Sequence, residues 1–176
     1  MTHKENDGSR TERMLHPAGL SEPGSGKLVA VPGFKLTVPV EVRFRDTDAM
    51  GHVNNACYLT YCEIARAHYW KFLFGTRNYR EVGFILANAV LDFRSPAFSG
   101  ETLMVGIKTA ALGRTSFSTH YQIRERDSGR LVADAQSVQV MFDYQKQVKI
   151  PLAKEIRAVI ARFEGLPEEK EDKARK

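Results

Sequence analysis

The sequence predicts an α+β fold in which an antiparallel sheet of five strands wraps around one long central helix, with a short helix near the C-terminal end. Three observations predict it. A strand-like run at 34–44 comes first, a strongly helical run at 55–74 follows, and four strand-like runs with short connections come after it. An antiparallel sheet must cover its apolar face and an apolar helix must be enclosed, and a sheet that curls around the helix meets both requirements.

The first strand is predicted by the alternation of apolar side chains across residues 34–44. These side chains would share one face of a half-buried strand: Phe34, Leu36, Val38, Val40, Val42 and Phe44. Pro39 has no N–H to give to a sheet ladder, so it predicts a bulge or an edge position in the first half of this run.

The central helix is predicted at 55–74 because apolar residues recur there at intervals of three and four. The recurring residues are Tyr58, Leu59, Cys62, Ala65, Tyr69, Phe72 and Leu73. Asn54 or Asn55 is a suitable N-cap, and Gly75 is a suitable terminator. Further apolar residues surround this stripe, so we expect the helix to be covered on most sides.

The second half of the chain predicts four antiparallel strands and a short amphipathic helix. The strands are expected at 84–93, 102–112, 115–124 and 131–144, and the helix at 151–163. Residues 1–27 are rich in glycine, proline and charge, which predicts a disordered leader. A single domain at 28–165 and a charged tail at 166–176 complete the expected organisation.

Composition and cysteine spacing narrow the class of protein. The net charge is +5 without a long basic block, which favours a mildly basic soluble protein over a nucleic-acid binder. No apolar run reaches the length of about 18 residues that a membrane span needs.

Cys57 and Cys62 would point about 140° apart on the predicted helix, which disfavours a disulfide. Two thiols provide no metal cluster, so we expect no metal, no cofactor and a reducing cytoplasmic location.

The residues between the first strand and the helix carry the most specific pattern in the chain. Residues 46–58 read Asp-Thr-Asp-Ala-Met-Gly-His-Val-Asn-Asn-Ala-Cys-Tyr, and Glu-Ile-Ala-Arg follows at 63–66. This pattern closely resembles the hotdog-fold acyl-CoA thioesterases of the 4-hydroxybenzoyl-CoA thioesterase type, and the segment 52–55 is similar to their long-chain acyl-CoA and acyl-carrier-protein branch. The resemblance covers about residues 34–163. It implies a hotdog fold, an acyl-CoA or acyl-carrier-protein substrate, and a homodimer, or a dimer of dimers, with active sites at the dimer interface.

The resemblance also assigns chemical roles within this motif. Thioester hydrolysis needs a carboxylate as base or nucleophile and fixed N–H donors for the oxyanion. The resemblance gives the first role to Asp48, and the helix that starts near Asn55 offers free N–H groups and a positive dipole end. Gly51 would let the backbone approach the thioester carbonyl. The Asn55 amide either orients water or the substrate carbonyl or caps the helix, and Asp46 is expected to be structural.

Other side chains near the motif are weaker candidates. His52 is expected to pack or to form a hydrogen bond, because the family does not require histidine at this place. Glu63 is a second candidate carboxylate, since another branch of the fold places one on the central helix, but an ion pair with Arg66 at i+3 explains it more simply. Cys57 and Cys62 have no histidine at i+3 or i+4 and are not expected to be nucleophiles.

Coenzyme A contacts are expected, by the same resemblance, on exposed turns. Arg114 with the hydroxyls of Thr115 and Ser116 matches best, and Arg94 is second, because a guanidinium donates two hydrogen bonds to a phosphate. Solvated surface arginines are the alternative interpretation. The acyl pocket is expected to include residues such as Tyr58, Leu59, Tyr61 and Phe84.

Two rival functions share this fold. A non-catalytic sensor of acyl thioesters would not need the Asp48 carboxylate beside the carbonyl. A dehydratase of this fold uses a paired His and Asp, and the chain has no Asp-x-Asn-Pro-x-x-His segment. The sequence therefore favours a thioesterase and leaves the acyl group and its carrier open.

Overall fold

The computed structural model describes residues 29–75 and 83–167. The predicted leader at 1–27, and residues 168–176 of the predicted tail, lie outside this part. The elements in chain order are β1 (Leu36–Glu41), a 3-10 helix (Phe44–Asp46), α1 (Asn55–Phe74), β2 (Phe84–Phe93), β3 (Thr102–Leu112), β4 (Ser116–Glu125), β5 (Leu131–Asp143), β6 (Val148–Lys149) and α2 (Lys154–Glu164).

The strands form one antiparallel sheet in the order β1-β3-β4-β5-β2. The five predicted strands are confirmed, and the two-residue β6, which was not predicted, pairs with β5. β1 pairs only with β3 in the described part of the chain, so Pro39 does lie on an edge strand. β4 is the central strand, and its Phe117 and Tyr121 contact Trp70 and Arg66 of the central helix.

α1 lies across the inner face of the sheet and contacts β1 and β3. Its buried residues are Tyr58, Tyr61, Cys62, Ala65, Tyr69 and Trp70. Trp70 packs between the rings of Phe74, Phe84 and Phe117 at centroid distances of 4.7, 5.5 and 5.6 Å. Burial of each large apolar side chain contributes about 1.5–3 kcal/mol, so this face of α1 holds the core together.

Both ends of α1 are where the sequence predicted them. The Asn54 side chain accepts a hydrogen bond from Ala56 N at 2.9 Å and caps the N-terminus. Gly75 adopts a φ of 68°, and its N–H donates to Lys71 O at 2.9 Å. The left-handed conformation at Gly75 favours glycine because a Cβ would be strained there.

The first strand is shorter than predicted. β1 ends at Glu41, and Phe44 is 85% exposed, so the prediction that Phe44 shares the buried face is wrong. The chain turns here because the Asp46 carboxylate accepts hydrogen bonds from Arg43 N and from the Arg43 guanidinium, which closes a 3-10 turn over Phe44–Asp46.

A segment before β1 covers the outer face of the sheet. Val31 is only 2% exposed, and Phe34 lies over Gly106 of β3. Gly106 faces away from the core that its neighbours Val105 and Ile107 line, so the prediction that Phe34 shares the inner face of β1 is wrong. A Cβ at position 106 would lie 2.7 Å from Phe34 Cγ and 2.9 Å from Val31 Cβ. Only glycine at this place allows residues 31–34 to lie flat on β3.

α2 closes one end of the molecule beside the C-terminal half of α1. Glu164, its last residue, accepts hydrogen bonds from Tyr69 Oη at 2.7 Å and from Thr109 N at 3.0 Å. This carboxylate therefore joins α2 to α1 and to β3. No helix in residues 29–75 or 83–167 is long and apolar enough to cross a membrane.

β2 is the second edge strand, and it carries exposed apolar side chains. In the described part of the chain it pairs with β5 alone. Leu86, Val90 and Phe93 are 46%, 53% and 47% exposed. Such an edge invites pairing with another strand.

Candidate active site

Asp46 anchors the loop that precedes α1. Its side chain is buried, and it accepts hydrogen bonds from Arg43 Nε at 3.0 Å, Arg43 Nη2 at 2.8 Å and Tyr61 Oη at 3.0 Å. The Arg43 hydrogen bond lowers the pKa of Asp46. Asp46 O also accepts from Asn54 N at 2.9 Å. Asp46 therefore connects the loop both to Arg43, which follows β1, and to Asn54 at the start of α1. This geometry fits the expected structural role.

The loop from Thr47 to Val53 is a tight hairpin. Thr47 and Val53 form an isolated bridge, and Asp48 N donates to His52 O at 2.9 Å. Gly51 N donates to Asp48 O at 3.0 Å and closes the turn. Gly51 has a φ of 82°, which an L residue rarely adopts, so the turn itself requires glycine at this position.

The Asp48 carboxylate is half-buried, and only one of its oxygens is engaged by a backbone N–H. Oδ1 accepts from Met50 N at 2.8 Å, whereas Oδ2 lies 3.6 Å from His52 Nδ1. The side chain of Asp48 is 27% exposed, so it faces neither bulk water nor a sealed core. The contact between Asp48 and His52 was not predicted, because two loop residues four positions apart meet in this way only when the chain folds into a hairpin.

The start of α1 leaves one backbone donor free. Ala56 N donates to Asn54 Oδ1 and Cys57 N donates to Asn54 O, both at 2.9 Å. Within the described residues, no protein acceptor takes the N–H of Asn55, the first residue of α1. Two backbone hydrogen bonds, from Asp48 N to His52 O and from Asn54 N to Asp46 O, join the hairpin that carries Asp48 to the residue before this N–H. The free N–H itself lies at the positive end of the helix dipole.

Tyr58 follows on the first turn of α1 and is buried. Its ring packs edge-on against Phe93 at 5.2 Å and against Tyr61 at 5.9 Å, and burial raises its pKa. Tyr58 therefore joins the helix start to the end of β2.

The loop at 94–101 is hydrogen-bonded to the hairpin and to the segment that follows β1. Val53 N donates to Ala97 O at 2.8 Å, and Gly100 N donates to Val42 O at 2.9 Å. Arg130 fixes this loop, because it donates to Glu101 Oε1 at 2.7 Å and to Ser95 Oγ at 3.0 Å. Sequence reasoning missed Arg130, since nothing in its local spacing links it to residues about thirty positions earlier.

The residues expected to bind coenzyme A are not beside Asp48 in the same chain. The turn that holds Arg114, Thr115 and Ser116 connects β3 to β4 at the far end of the sheet, where Met141 N donates to Thr115 O and Leu152 N donates to Arg114 O. β3 starts near the hairpin end and runs for 11 residues, which is about 35 Å of strand. One chain alone does not bring this turn to the hairpin.

Arg94 lies at the same end of the sheet as the hairpin, but its guanidinium already pairs with two carboxylates. It contacts Asp134 Oδ2 at 3.1 Å and Asp92 Oδ2 at 3.5 Å, and its side chain is 51% exposed. Two carboxylates therefore offset its charge.

Of the alternative candidates on α1, Glu63 is placed differently from expectation. Glu63 is exposed and forms no ion pair with Arg66; among the described residues Arg66 donates instead to Tyr121 Oη at 3.0 Å. The predicted i, i+3 ion pair is therefore wrong. Cys57 and Cys62 are both free thiols, and burial raises the pKa of Cys62 to about 12, so it is protonated at neutral pH.

Comparisons with known proteins agree with this architecture. Residues 42–160 match the family model described as the thioesterase-like superfamily. A thioesterase from Thermus thermophilus, solved in complex with coenzyme A and Zn, is 34% identical with a TM-score of 0.70, over 78% of this chain and 100% of that one. Slr0204 from Synechocystis, a 1,4-dihydroxy-2-naphthoyl-CoA thioesterase, is 27% identical with a TM-score of 0.65, over 71% and 94%. The long-chain acyl-CoA thioesterase FadM of Escherichia coli (strain K12) is 28% identical over 69% of this chain and 94% of its own length.

Proposed function

This chain belongs to the thioesterase-like superfamily and is a thioester hydrolase with a hotdog fold, and we propose that it hydrolyses acyl-CoA thioesters with Asp48 as the general base. The observation that carries the proposal is that the hairpin bearing the half-buried Asp48 carboxylate is hydrogen-bonded to Asn54, the residue directly before the free Asn55 N–H at the start of α1. A carboxylate that can take a proton and a donor that can hold an oxyanion are the two groups that acyl transfer to water requires.

The proposed reaction uses both groups in turn. Water attacks the thioester carbonyl carbon while Asp48 Oδ2 takes its proton, and the carbonyl oxygen becomes an oxyanion that accepts a hydrogen bond from Asn55 N–H. The C–S bond then breaks, and the proton held by Asp48 passes to the departing sulfur. The products are a carboxylic acid and coenzyme A. A positioned base contributes about 10²–10⁴ in rate, and one oxyanion donor about 10²–10³.

The alternative within this mechanism is direct attack by Asp48, which forms a mixed anhydride before water enters. The hydrogen bond from Met50 N–H to Oδ1 holds the carboxylate in place and leaves Oδ2 as the reactive atom in either case. A single turnover in oxygen-labelled water separates the two. The general-base path places the label in the acid product, whereas the anhydride path, with water attacking the Asp48 carbonyl, places it in the enzyme.

We also propose a homodimer through β2. This edge is long and apolar, and the inner side chain of Phe93 is half exposed beside the helix start. A two-fold axis would pair β2 antiparallel with its copy and bring the far end of one sheet towards the hairpin of the other. The 113–116 turn of the partner subunit would then approach the Asp48 site. The dimer would in this way bring the expected coenzyme A contacts to the site. Light scattering of Val90→Lys against the wild type tests this: a persistent dimer in the variant would contradict pairing through β2.

The test of the activity is thiol release from a panel of acyl-CoAs and acyl-carrier-protein substrates. FadM and Slr0204 are named for long-chain and dihydroxynaphthoyl substrates, so both classes belong in the panel. We expect thiol release that depends on Asp48. Tight retention of acyl-CoA without release from any member would favour the sensor and overturn the proposal.

A further inference from the structure

The most exposed large apolar side chains in the described part of the chain lie beside Asp48. Phe44 is 85% exposed and Met50 is 80% exposed, and the next in order, Tyr144, is only 55% exposed. Phe44 precedes Asp48 by four residues, and Met50 follows it by two. Single exposed apolar residues are common on protein surfaces, but two of them on one catalytic loop indicate a surface that a ligand covers.

Hydrogen bonds on the inner side of the 3-10 turn hold Phe44 in position. Phe44 O accepts from Thr47 N at 3.2 Å and from Thr47 Oγ1 at 2.7 Å. On the other side of the ring, Arg43 N and the Arg43 guanidinium donate to the Asp46 carboxylate. The backbone of the turn is therefore fixed on both sides of Phe44, so a ligand that covers the ring orders little of the protein when it binds.

Arg45, the next residue along this turn, is an exposed cation without an anion. At the same end of the sheet, Arg43, Arg94 and Arg130 each have a carboxylate oxygen at 2.8, 3.1 and 2.7 Å. In the described part of the chain, no carboxylate lies within 4.0 Å of the Arg45 guanidinium. An arginine whose fork of donors is open suits a phosphate, which accepts two hydrogen bonds from it.

The turn is close enough to Asp48 for one substrate to reach both. Four residues of backbone separate Phe44 from Asp48, so their Cα atoms are at most about 14 Å apart. The pantetheine arm of coenzyme A, from the thioester sulfur to the first phosphorus, has about as many bonds as four residues of backbone. A thioester held at Asp48 therefore brings the phosphates and the adenine ring within reach of Arg45 and Phe44.

We propose that Phe44 is a stacking platform for the adenine ring of coenzyme A and that Arg45 binds a phosphate beside it. This rests on the proposed function, and it names the carrier of the acyl group as coenzyme A. The arm of an acyl-carrier protein ends on a serine of that protein and has no base to stack. An aromatic ring next to an arginine is the combination that binds a base and its phosphate in single-stranded nucleic acids.

This site belongs to the same chain as Asp48. The turn that holds Arg114 would have to come from a partner subunit, whereas Phe44 and Arg45 directly precede the catalytic loop. β1 and β2 are the two edges of the strand order, so pairing through β2 does not by itself place a partner against Phe44.

The experiment compares kcat/KM for an acyl-CoA with kcat/KM for the S-acyl-pantetheine of the same acyl group. The wild type is expected to favour acyl-CoA, because only this substrate carries the nucleotide. Phe44→Leu keeps an apolar side chain but removes the ring, and it should lower the ratio of the two values by about 5-fold to 50-fold, as for one lost base stack. It should leave acyl-pantetheine hydrolysis unchanged, and Phe44→Trp should retain the wild-type ratio.

Arg45→Met should lower the same ratio by about 5-fold to 10-fold at low salt, and by less at high salt, because the contact is exposed and screened. Arg162→Met is the matched control. Arg162 is an exposed arginine on α2, beside the C-terminal half of α1, and its loss should leave the ratio at the wild-type value.

A binding measurement separates this site from turnover. Adenosine 3′,5′-bisphosphate, the nucleotide end of coenzyme A, is titrated into the protein by isothermal calorimetry. We expect the wild type to bind it and both Phe44→Leu and Arg45→Met to bind it at least about 5-fold more weakly. Absence of thiol release from every substrate, with this binding pattern intact, would contradict the proposed function and leave the nucleotide site standing.

Four results would overturn the inference. The first is a wild type that hydrolyses acyl-CoA and acyl-pantetheine equally well. The second is a Phe44→Leu protein with the wild-type ratio. The third is an equal loss on both substrates with a lower molar mass in light scattering, which would mean that Phe44 contacts a second copy of the chain. The fourth is a preference for an acyl-carrier-protein substrate that Arg45→Met abolishes, which would make Arg45 a docking site for an acidic carrier protein.

Discussion

Replacement of Tyr61 by phenylalanine should loosen the loop that carries Asp48 without opening a cavity. The Tyr61 side chain is fully buried, and its hydroxyl donates to Asp46 Oδ2 at 3.0 Å. A buried hydrogen bond to a charged acceptor contributes about 1.5–3 kcal/mol. Asp46 keeps its hydrogen bonds from Arg43 in the variant, so the larger cost of an uncompensated buried charge does not arise. We therefore expect Tyr61→Phe to lower the free energy of unfolding by about 1.5–3 kcal/mol.

The pH dependence of this loss identifies its cause. The pKa of Asp46 is lowered in the folded protein, chiefly by the Arg43 hydrogen bond, so the stability that its ionised form contributes is complete above the unfolded pKa. That stability is lost as the pH falls through the lower, folded pKa. The difference between wild type and Tyr61→Phe should accordingly be constant near neutral pH and should shrink in acid, as Asp46 becomes protonated.

Urea denaturation followed by circular dichroism measures both effects, at one protein concentration because an oligomer would make stability depend on concentration. Tyr144→Phe is the matched control. The Tyr144 hydroxyl donates to Phe84 O at 3.0 Å, but the side chain is 55% exposed, so its loss should change the free energy of unfolding by less than about 1 kcal/mol. A Tyr61→Phe protein as stable as the control variant, or a difference that does not change with pH, would refute the role given to Asp46.

Two glycine substitutions test other parts of the account. Gly106→Ala should destabilise the protein by about 1–3 kcal/mol, because the new Cβ would meet Phe34 Cγ and Val31 Cβ. A melting temperature equal to that of the wild type would show that residues 31–34 do not lie on β3. Gly51→Ala places an L residue at a φ of 82° with open space around it, so it should cost only about 1–2 kcal/mol of strain yet reduce kcat by moving Asp48. Unchanged kcat in a variant with lowered stability would separate the Gly51 turn from catalysis.

The parts of the fold that the sequence predicted are those governed by local patterns. The limits of α1 follow from Asn54 and Gly75, whose cap conformations depend on neighbours within four residues. The strands β2 and β3 agree with their predicted limits because alternation and turn residues mark both ends of each. Alternation misled at Phe44, where a buried carboxylate three residues after Arg43 ended the strand before the apolar pattern ended.

The features that the sequence did not predict depend on contacts between distant positions. Arg66 has Glu63 at a favourable spacing, but it donates to Tyr121, which is 55 positions later in the chain. The 113–116 turn looked suited to phosphate binding, yet its distance from Asp48 follows from sheet topology and not from any property of Arg114 itself. His52 approaches Asp48 only because Gly51 turns the chain back on itself.

The most direct test of the account is the turnover of Asp48→Asn. Asparagine retains an oxygen that can accept from Met50 N–H, so the hairpin and the fold should persist, which circular dichroism and the melting temperature would verify. Asp127→Asn, on the exposed β4–β5 hairpin, is the control for the same chemical change. We expect Asp48→Asn to lose on the order of 10²-fold or more in kcat, while Asp127→Asn retains wild-type activity. Near-normal turnover by a folded Asp48→Asn protein would contradict the central claim that this carboxylate activates water beside the start of α1.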